Sequence, residues 1–488
     1  MKQYQMYVGG EWIDASNGQT EPVVSPINEE VLAYIQDADA SDAERVLAVA
    51  TTAQKEWAKQ PARQRAEVLR KFAQLIRDNK QYLAELLVKE QGKLLKVALG
   101  EVEATSTFIE YACDWARQMD GDIVKSDNAN EQIMIHKIPR GVVVAITAWN
   151  FPLALAGRKI GPALVAGNSI VVKPTSETPL ATLELGYLAE QAGIPAGVLN
   201  IVTGGGRTLG NELVGHRMTN MVSMTGSTPA GQSIIRASAN NMAHVQLELG
   251  GKAPFIVMED ADLEQAAAAA LHSRFDNCGQ VCTCNERMYV HGAVYDEFMR
   301  IFMGKVEAIK VGDPMDPASD MGPKVNANEL AHMEELVAEA VDEGATVLFG
   351  GKKLEGPEFE KGFWFEPTVL TNVTQDMTIV HEESFGPILP VIKFDSFDEV
   401  IEYANDSDYG LAAMICTQNM HYINRLLTEL ESGEIYVNRG HGEQHQGFHN
   451  GYKLSGTGGE DGKYGFEQYL EKKTFYINYN LEHHHHHH

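Results

Sequence analysis

Cysteine is scarce in this 488-residue chain. Only Cys113, Cys278, Cys282, Cys284 and Cys416 occur, an odd number without framework spacing. That excludes a disulfide-stapled secreted module and predicts reduced thiols in a cytoplasmic protein. Long apolar runs are also missing. The longest, GVVVAITAWNFPLALAG, is broken by Asn150 and Pro152 and is short for a membrane span. The opening MKQYQMYVGGEWIDAS lacks the apolar stretch of a signal peptide, so none is expected. Positive charge is in deficit: 40 Lys and Arg against 67 Asp and Glu leave a formal net charge of −27. Such a surface repels phosphate backbones and anionic lipid, which argues against nucleic acid and membrane as partners. No repeat or low-complexity tract interrupts the chain. The terminal LEHHHHHH, residues 481–488, reads as an expression tag.

What is present is a soluble globular balance, 44% hydrophobic and 22% charged. About 480 residues exceed one core, so two or three domains are expected. Residues 40–118 carry apolar positions at helical spacing, with Ser41 as a plausible N-cap. From 140 to 250 short β-branched runs alternate with helical stretches. GVVVAITAW, NSIVVKP, VLNIVTG, NMVSMTG and HVQLEL read as strands, and this rhythm predicts a parallel, doubly wound α/β sheet. Residues 251–446 read as a second α/β region. EQIMIHKI (131–138) and TFYINY (474–479) read as isolated strands that would pair in a small separate sheet.

The usual G-x-G-x-x-G fingerprint is absent from the first strand-helix turn. GGGRTLG (204–210) and GSTPAG (226–231) each follow a strand and open a helix, a setting that suits a pyrophosphate. Each is as readily a plain glycine turn; their placement in one parallel sheet favours a dinucleotide site. Lys173 ends the strand SIVVK, where ligand crevices form, or is simply a solvated strand end. Asn150 in WNFP can donate to an oxyanion, or satisfy a turn. Glu248 in LELGGK is a candidate general base, or a structural acid paired with Lys252.

CGQVCTCNER, residues 278–287, gathers three cysteines as C-x3-C-x-C. No second cysteine pair and no H-x3-H accompany them, so no metal site is expected. The C-x-x-C of a redox pair is absent too. One reactive thiol or three packed ones remain. Gly279 and Gln280 make a poor core segment, which favours a reactive Cys282.

WNFP, VVKP, GST, ELGGK, GQVC, EESFGP (382–387), NDSDYGLA (405–412), YVN (436–438) and KLSGTGGEDG (453–462) occur in order along nearly the whole chain. Together they resemble the aldehyde dehydrogenase superfamily. The resemblance implies an α/β fold with a Rossmann-type coenzyme domain (1–117 and 140–250) and an α/β catalytic domain (251–446). It also implies an oligomerisation arm and C-terminal segment (118–139 and 447–480), hence a homodimer or homotetramer. It implies Cys282 as nucleophile, Glu248 as general base and Asn150 as oxyanion donor. For the coenzyme, NAD or NADP, it implies Trp149, Lys173, Gly206, Gly226, Ser227, Glu383 and Phe385.

The chain departs from the pattern at Ser176, where many NAD-preferring relatives have a glutamate against the adenosine ribose. A serine does not repel a 2′-phosphate, so NADP is expected to be accepted, although the adjacent Glu177 offers a substitute carboxylate. The implied substrate pocket takes Arg158, Cys284, Glu443 and His449. Its polar lining suits a small hydroxylated aldehyde. ALAGRK, GQVCTCNER and QGFH resemble bacterial lactaldehyde and glycolaldehyde dehydrogenases. Arg158 would alternatively bind the carboxylate of a substrate such as succinate semialdehyde. A non-catalytic structural protein of the same fold and a thioester hydrolase stand as readings of another class; the Cys282, Glu248 and Asn150 trio argues for the dehydrogenase.

Overall fold

The computed structural model describes residues 1–481. Among them, no helix is long and apolar enough to cross a membrane. The β-α alternation appears as five parallel strands, Val142–Thr147, Ser169–Pro174, Leu199–Ile201, Met221–Thr225 and His244–Glu248. Helices on both faces bury them, which is why they read as continuous Val/Ile runs rather than alternating ones. In space Val142–Thr147 lies between Ser169–Pro174 and Met221–Thr225. The chain order reverses beside it, opening a crevice at the carboxyl ends of the strands. Met6–Val8 and Glu11–Ile13 extend one edge of this sheet, and Gly456–Thr457 caps the other.

A second sheet of seven strands orders Thr346–Phe349, Thr368–Thr371, Ile388–Phe394, Arg287–His291, Pro254–Val257, Ala412–Cys416 and Glu434–Val437. Pro254–Val257, Thr368–Thr371 and Ala412–Cys416 escape the sequence pattern. They are four- and five-residue apolar runs without alternation, too short to separate from loop or helix by period. The chain crosses between the sheets at Gly250 to Ala253. The amino ends of Arg287–His291 and Ile388–Phe394 follow the loops carrying Cys282 and Glu383, and these loops meet the carboxyl ends of the first sheet.

The strands at 131–138 and 474–479 do pair, antiparallel and over a longer span than the pattern shows. Glu131–Pro139 meets Leu470–Asn478 residue for residue, with Asp122–Val124 on the other flank. Near the amino terminus the helix starts differently from expectation. Asp39, not Ser41, caps the entering turn: its carboxylate accepts from the Ser41 N–H, and a short 3-10 turn, Ala40–Asp42, leads into the helix Ala43–Lys59.

Two helices that matter for the site, Leu95–Asp114 and Pro152–Val165, pack almost backbone to backbone. A Cβ at Gly157 would lie 2.6 Å from Thr105 Cγ2 and 3.1 Å from its carbonyl oxygen. Only glycine permits this approach, and it sets the distance between the two helices. Gly157→Val is therefore expected to cost about 1–3 kcal/mol through overpacking. The denaturant midpoint checks it; an unchanged midpoint would show that the helices part freely.

Candidate active site

Most of the expected site residues occupy the end of a strand or a loop at the meeting of the two sheets, while Arg158 lies within the helix Pro152–Val165 and Gly206 opens a short helical turn. Asn150 follows Val142–Thr147, Lys173 lies in Ser169–Pro174, Gly226 and Ser227 follow Met221–Thr225, and Glu248 closes His244–Glu248. Ser227 is the N-cap of the helix Thr228–Ser238 and accepts from Ala230 N–H at 3.3 Å. Cys282 arrives by an unusual route. The helix Leu263–Phe275 ends, and Asn277, Cys278 and Gly279 all adopt left-handed backbone (φ +50°, +60° and +74°). Two consecutive non-glycine residues there are strained. Gly279 is obligatory in another way: a Cβ would run into the Gly386 carbonyl. This turn lifts Cys282 out of the core.

Two clefts meet at that thiol. One is lined by Thr147, Trp149, Asn150, Lys173, Ser176, Gly206, Gly226, Ser227, Glu383 and Phe385 among others. The second approaches from the opposite side past Phe108, Arg158, Glu248, Glu443 and His449. Asn150, Thr225 and Cys282 belong to both. Asn150 Nδ2 lies 3.9 Å from Cys282 Sγ. The Cys282 N–H donates to no protein acceptor among the described residues. A reacting atom on Cys282 would thus have two donors beside it, and access from two directions.

The sequence model of the aldehyde dehydrogenase family matches residues 12–475. The chain belongs to the aldehyde dehydrogenase family. It is 79% identical to 3,6-anhydro-alpha-L-galactose dehydrogenase of Vibrio sp. (strain EJY3), over 98% of this chain and 100% of that one. Identity to lactaldehyde dehydrogenase of Escherichia coli (strain K12) is 44%, over 97% and 98%. The crystal structure of lactaldehyde dehydrogenase from Escherichia coli superposes with a TM-score of 0.95, covering 98% of this chain and 99% of that one. The expected α/β aldehyde dehydrogenase fold is therefore the observed one, and the protein is an NAD(P)-dependent aldehyde dehydrogenase.

The first cleft fits a nicotinamide coenzyme. Lys173 is buried, yet its ammonium makes no hydrogen bond or ion pair among the described residues; burial lowers its pKa to about 8. Thr147 Oγ1, in the same cleft, is likewise buried and unsatisfied. Unpaired buried polar atoms of this kind await a polar ligand. Gly226 and Ser227 open a helix N-terminus, and Ser176 lines the cleft as expected. Glu177 does not line it; its carboxyl turns toward Asn326. Phe385 is left-handed (φ +49°) and meets Trp149 edge to face at 5.2 Å. Glu383 accepts from Gly251 N–H at 2.7 Å, and burial pushes its pKa up to about 8.

In the second cleft the expected residues divide. Glu248 does not pair with Lys252, which binds Glu286 at 3.0 Å instead. Its neighbour is His449, whose Nε2 lies 3.1 Å from Glu248 Oε2 without hydrogen-bond alignment, while His449 Nδ1 meets Glu434 at 2.5 Å. Burial raises the Glu248 pKa against the pull of His449. Burial lowers that of His449, but Glu248, Glu434 and Glu443 outweigh it and keep the ring cationic. Arg158 is already paired with acids. Its Nε and Nη2 donate to Asp461 at 3.0 and 2.8 Å, and Nη2 donates to Glu443 at 2.8 Å.

Cys284 is corrected. The chain turns at Cys282 and Thr283 instead of running extended, so the alternation that would aim Cys284 at the pocket does not apply. Cys284 is fully buried; its sulfur meets the Val281 carbonyl at 2.9 Å and Arg274 Nη2 at 3.2 Å.

Sequence reasoning also misses the residues that hold the site. Lys93 and Glu101 form a fully buried pair. Lys93 donates to the Asn150 carbonyl at 2.8 Å, and Glu101 accepts from Leu153 and Ala154 N–H at 2.9 and 3.2 Å. Glu286, within the cysteine stretch itself, binds Lys252, Arg274 and the loop carrying Phe385. Its position beside Arg287 at a strand entry is a usable signal. Lys93 and Glu101 give none, lying in a helical region far upstream.

The surroundings of Cys282 disfavour a thiolate. Burial, with Glu383, Glu248 and Glu443 nearby, pushes the Cys282 thiol up to about 12 despite His449. Cys282 is the partly exposed cysteine; the other four are buried. Iodoacetamide should therefore alkylate the coenzyme-free enzyme at this thiol, with a rate rising about tenfold per pH unit between about pH 7 and 10. Cys282→Ala should remove the reaction. A plateau below about pH 8 would mean that another group already stabilises the thiolate.

Proposed function

We propose that this aldehyde dehydrogenase oxidises a hydroxylated, sugar-derived aldehyde to its acid, with 3,6-anhydro-L-galactose as the leading substrate and lactaldehyde second. The observation that carries the reading is the meeting of two clefts at Cys282, one suited to a coenzyme and one polar and rich in carboxylates. The 79% relative named for the anhydro sugar supports the order of preference over the 44% lactaldehyde relative. So does the wall of the second cleft. Gly100, Ala104 and Ala154 are small, and a Cβ at Gly100 would touch nothing, which leaves room for a ring. Glu443, Glu434 and His449 can exchange hydrogen bonds with hydroxyls.

The semialdehyde alternative is disfavoured by electrostatics. The charge of Arg158 is already met by Asp461 and Glu443, and Glu248, Glu434 and Glu460 lie close by. A second carboxylate, carried on the substrate, would enter a pocket whose own acids outnumber its cations.

In this reading Cys282 Sγ adds to the aldehyde carbon once its proton is lost. The oxyanion is held by Asn150 Nδ2 and the Cys282 N–H. A nicotinamide coenzyme, when bound, supplies the acceptor for the hydride that leaves that carbon. Lys173, Ser176, Ser227, Glu383 and Phe385 hold it, and Trp149 packs against Phe385. Glu248, its pKa raised, then takes a proton from water as the water attacks the thioester on Cys282, releasing the acid and restoring the thiol. Residues 1–117 and 140–250 serve as coenzyme domain and 251–446 as catalytic domain. The sheet around Glu131–Pro139 and Leu470–Asn478 serves as an arm that joins two or four copies.

Initial rates measured by the absorbance of reduced coenzyme test the substrate. The expected kcat/KM is highest for 3,6-anhydro-L-galactose, lower for lactaldehyde and glycolaldehyde, and lowest for succinate semialdehyde. A semialdehyde preference would overturn the assignment. For the coenzyme, acceptance of NADP alongside NAD rests on Ser176. Ser176→Glu should cut kcat/KM for NADP by about tenfold or more, equivalent to about 1.4 kcal/mol, and spare NAD. No NADP turnover in the parent would defeat this reading.

A further inference from the structure

Beyond the reacting centre, the rim of the substrate cleft carries two imidazoles and a carboxylate from two separate segments. His272 lies in the last turn of the helix Leu263–Phe275, and Asp276 follows that helix. His441 comes from the loop after Glu434–Val437, more than 160 residues on, and all three line the cleft that leads to Cys282. The ligand atoms of the three lie within 4.8 Å of one another. His441 Nε2 is 3.0 Å from Asp276 Oδ2, and His272 Nε2 is 4.0 Å from the same oxygen. The two rings stack nearly parallel, with centroids 5.8 Å apart.

We propose that His272, Asp276 and His441 form a binding site for a divalent metal of the zinc class at the mouth of the substrate cleft, and that the bound ion restricts entry of the aldehyde. Two imidazoles and one carboxylate are a ligand set that zinc takes readily, with a fourth position left to water. Ligands on one tetrahedral ion at about 2.1 Å stand about 3.4 Å apart, and the observed distances bracket that edge. His441 is already oriented: its Nδ1 meets Ser273 Oγ at 2.8 Å, which fixes the ring and directs Nε2 at Asp276. His272 is 70% exposed, so it can swing to close the site and solvent reaches the ion's position. A chain of formal net charge −27 concentrates cations around it. On binding, His441 takes the tautomer with its proton on Nδ1, which then donates to Ser273 Oγ, and Nε2 gives its lone pair to the metal; no electrons are transferred.

The effect on catalysis follows from where the ligands sit. His441 precedes Gly442 and Glu443, and Glu443 holds Arg158 at 2.8 Å. An ion tying His441 to the helix end spans the mouth and stiffens the loop forming the pocket's outer wall. Coenzyme enters from the other side of Cys282 and does not pass this point.

The test titrates zinc into the full chain against a chromophoric chelator, for the parent, His272→Ala, His441→Ala and Cys282→Ala. The six terminal histidines bind zinc equally in all four proteins, so the quantity read is the difference. Parent and Cys282→Ala should each take up one tight zinc per chain more than either histidine variant. Uptake is read without substrate, so it stands apart from the choice of aldehyde. In the parent, zinc should raise KM for the aldehyde about tenfold and leave KM for the coenzyme unchanged; His272→Ala should lose that effect. Equal uptake by parent and both histidine variants would overturn the site. Loss of the extra zinc in Cys282→Ala would assign it to the nucleophile instead. Tight uptake without a change in aldehyde KM would overturn the gating role.

Discussion

One buried carboxylate organises the reacting centre. Glu286 accepts from Lys252 at 3.0 Å, from Arg274 at 2.8 Å, from the Ser384 N–H at 2.8 Å and from the Phe385 N–H at 3.2 Å. Two cations and two amides hold its pKa at about 2 despite burial. Lys252 lies on the crossing between the sheets, Arg274 on the helix that delivers the cysteine loop, and Ser384 and Phe385 on the loop facing the coenzyme cleft. Arg274 also binds the Gly279 carbonyl at 2.7 Å. Remove the charge and three segments lose a common anchor while two cations stay buried without a partner, the costly way to break such a network.

That anchor explains how the strained residues persist. Asn277, Cys278 and Phe385 are left-handed without being glycine, and each sits within a short reach of the network. Strain of this kind lasts only where the surroundings over-determine the backbone. Asn277 adds a hydrogen bond from Nδ2 to the Asn150 carbonyl at 3.2 Å, which Lys93 also contacts. Cys282 and Asn150, 132 residues apart in sequence, are thus held close to each other by side chains that bind the Asn150 carbonyl.

The electrostatics divide the site into two halves. In the cleft lined by Lys173 and Ser227 an unpaired lysine and a helix N-terminus offer positive potential for a polyanionic ligand. In the cleft lined by Arg158 and Glu248 carboxylates predominate, with Arg158 and His449 each pinned between acids. The thiol stands at the boundary and feels both. With Glu383 on one flank and Glu248 on the other it stays protonated, so ionisation awaits a change in its surroundings. A protonated resting cysteine is slower to react with stray electrophiles.

By itself the sequence determined the architecture of the first sheet, because strands buried on both faces are written as short Val/Ile runs between helical stretches. The small sheet was legible for a different reason, as two isolated runs of strand character, although its strands are mostly exposed or half-buried. Asn150 and Glu248 each carried a plain structural reading in their local setting, so it was the ordered motifs that singled them out with Cys282 and named the family. Tertiary structure alone decided the partners. Glu248 meets His449 rather than Lys252, which is four residues away, because the chain reverses after it and carries Lys252 into the Glu286 network. Cys284 turns inward because the loop does not run extended. Arg158 is neutralised by Asp461, 303 residues on. The Lys93–Glu101 clasp and the His272, Asp276 and His441 rim join segments that no period or spacing relates. Local propensity acts over a few residues, whereas desolvated charges choose whichever partners the packed chain brings within hydrogen-bond reach.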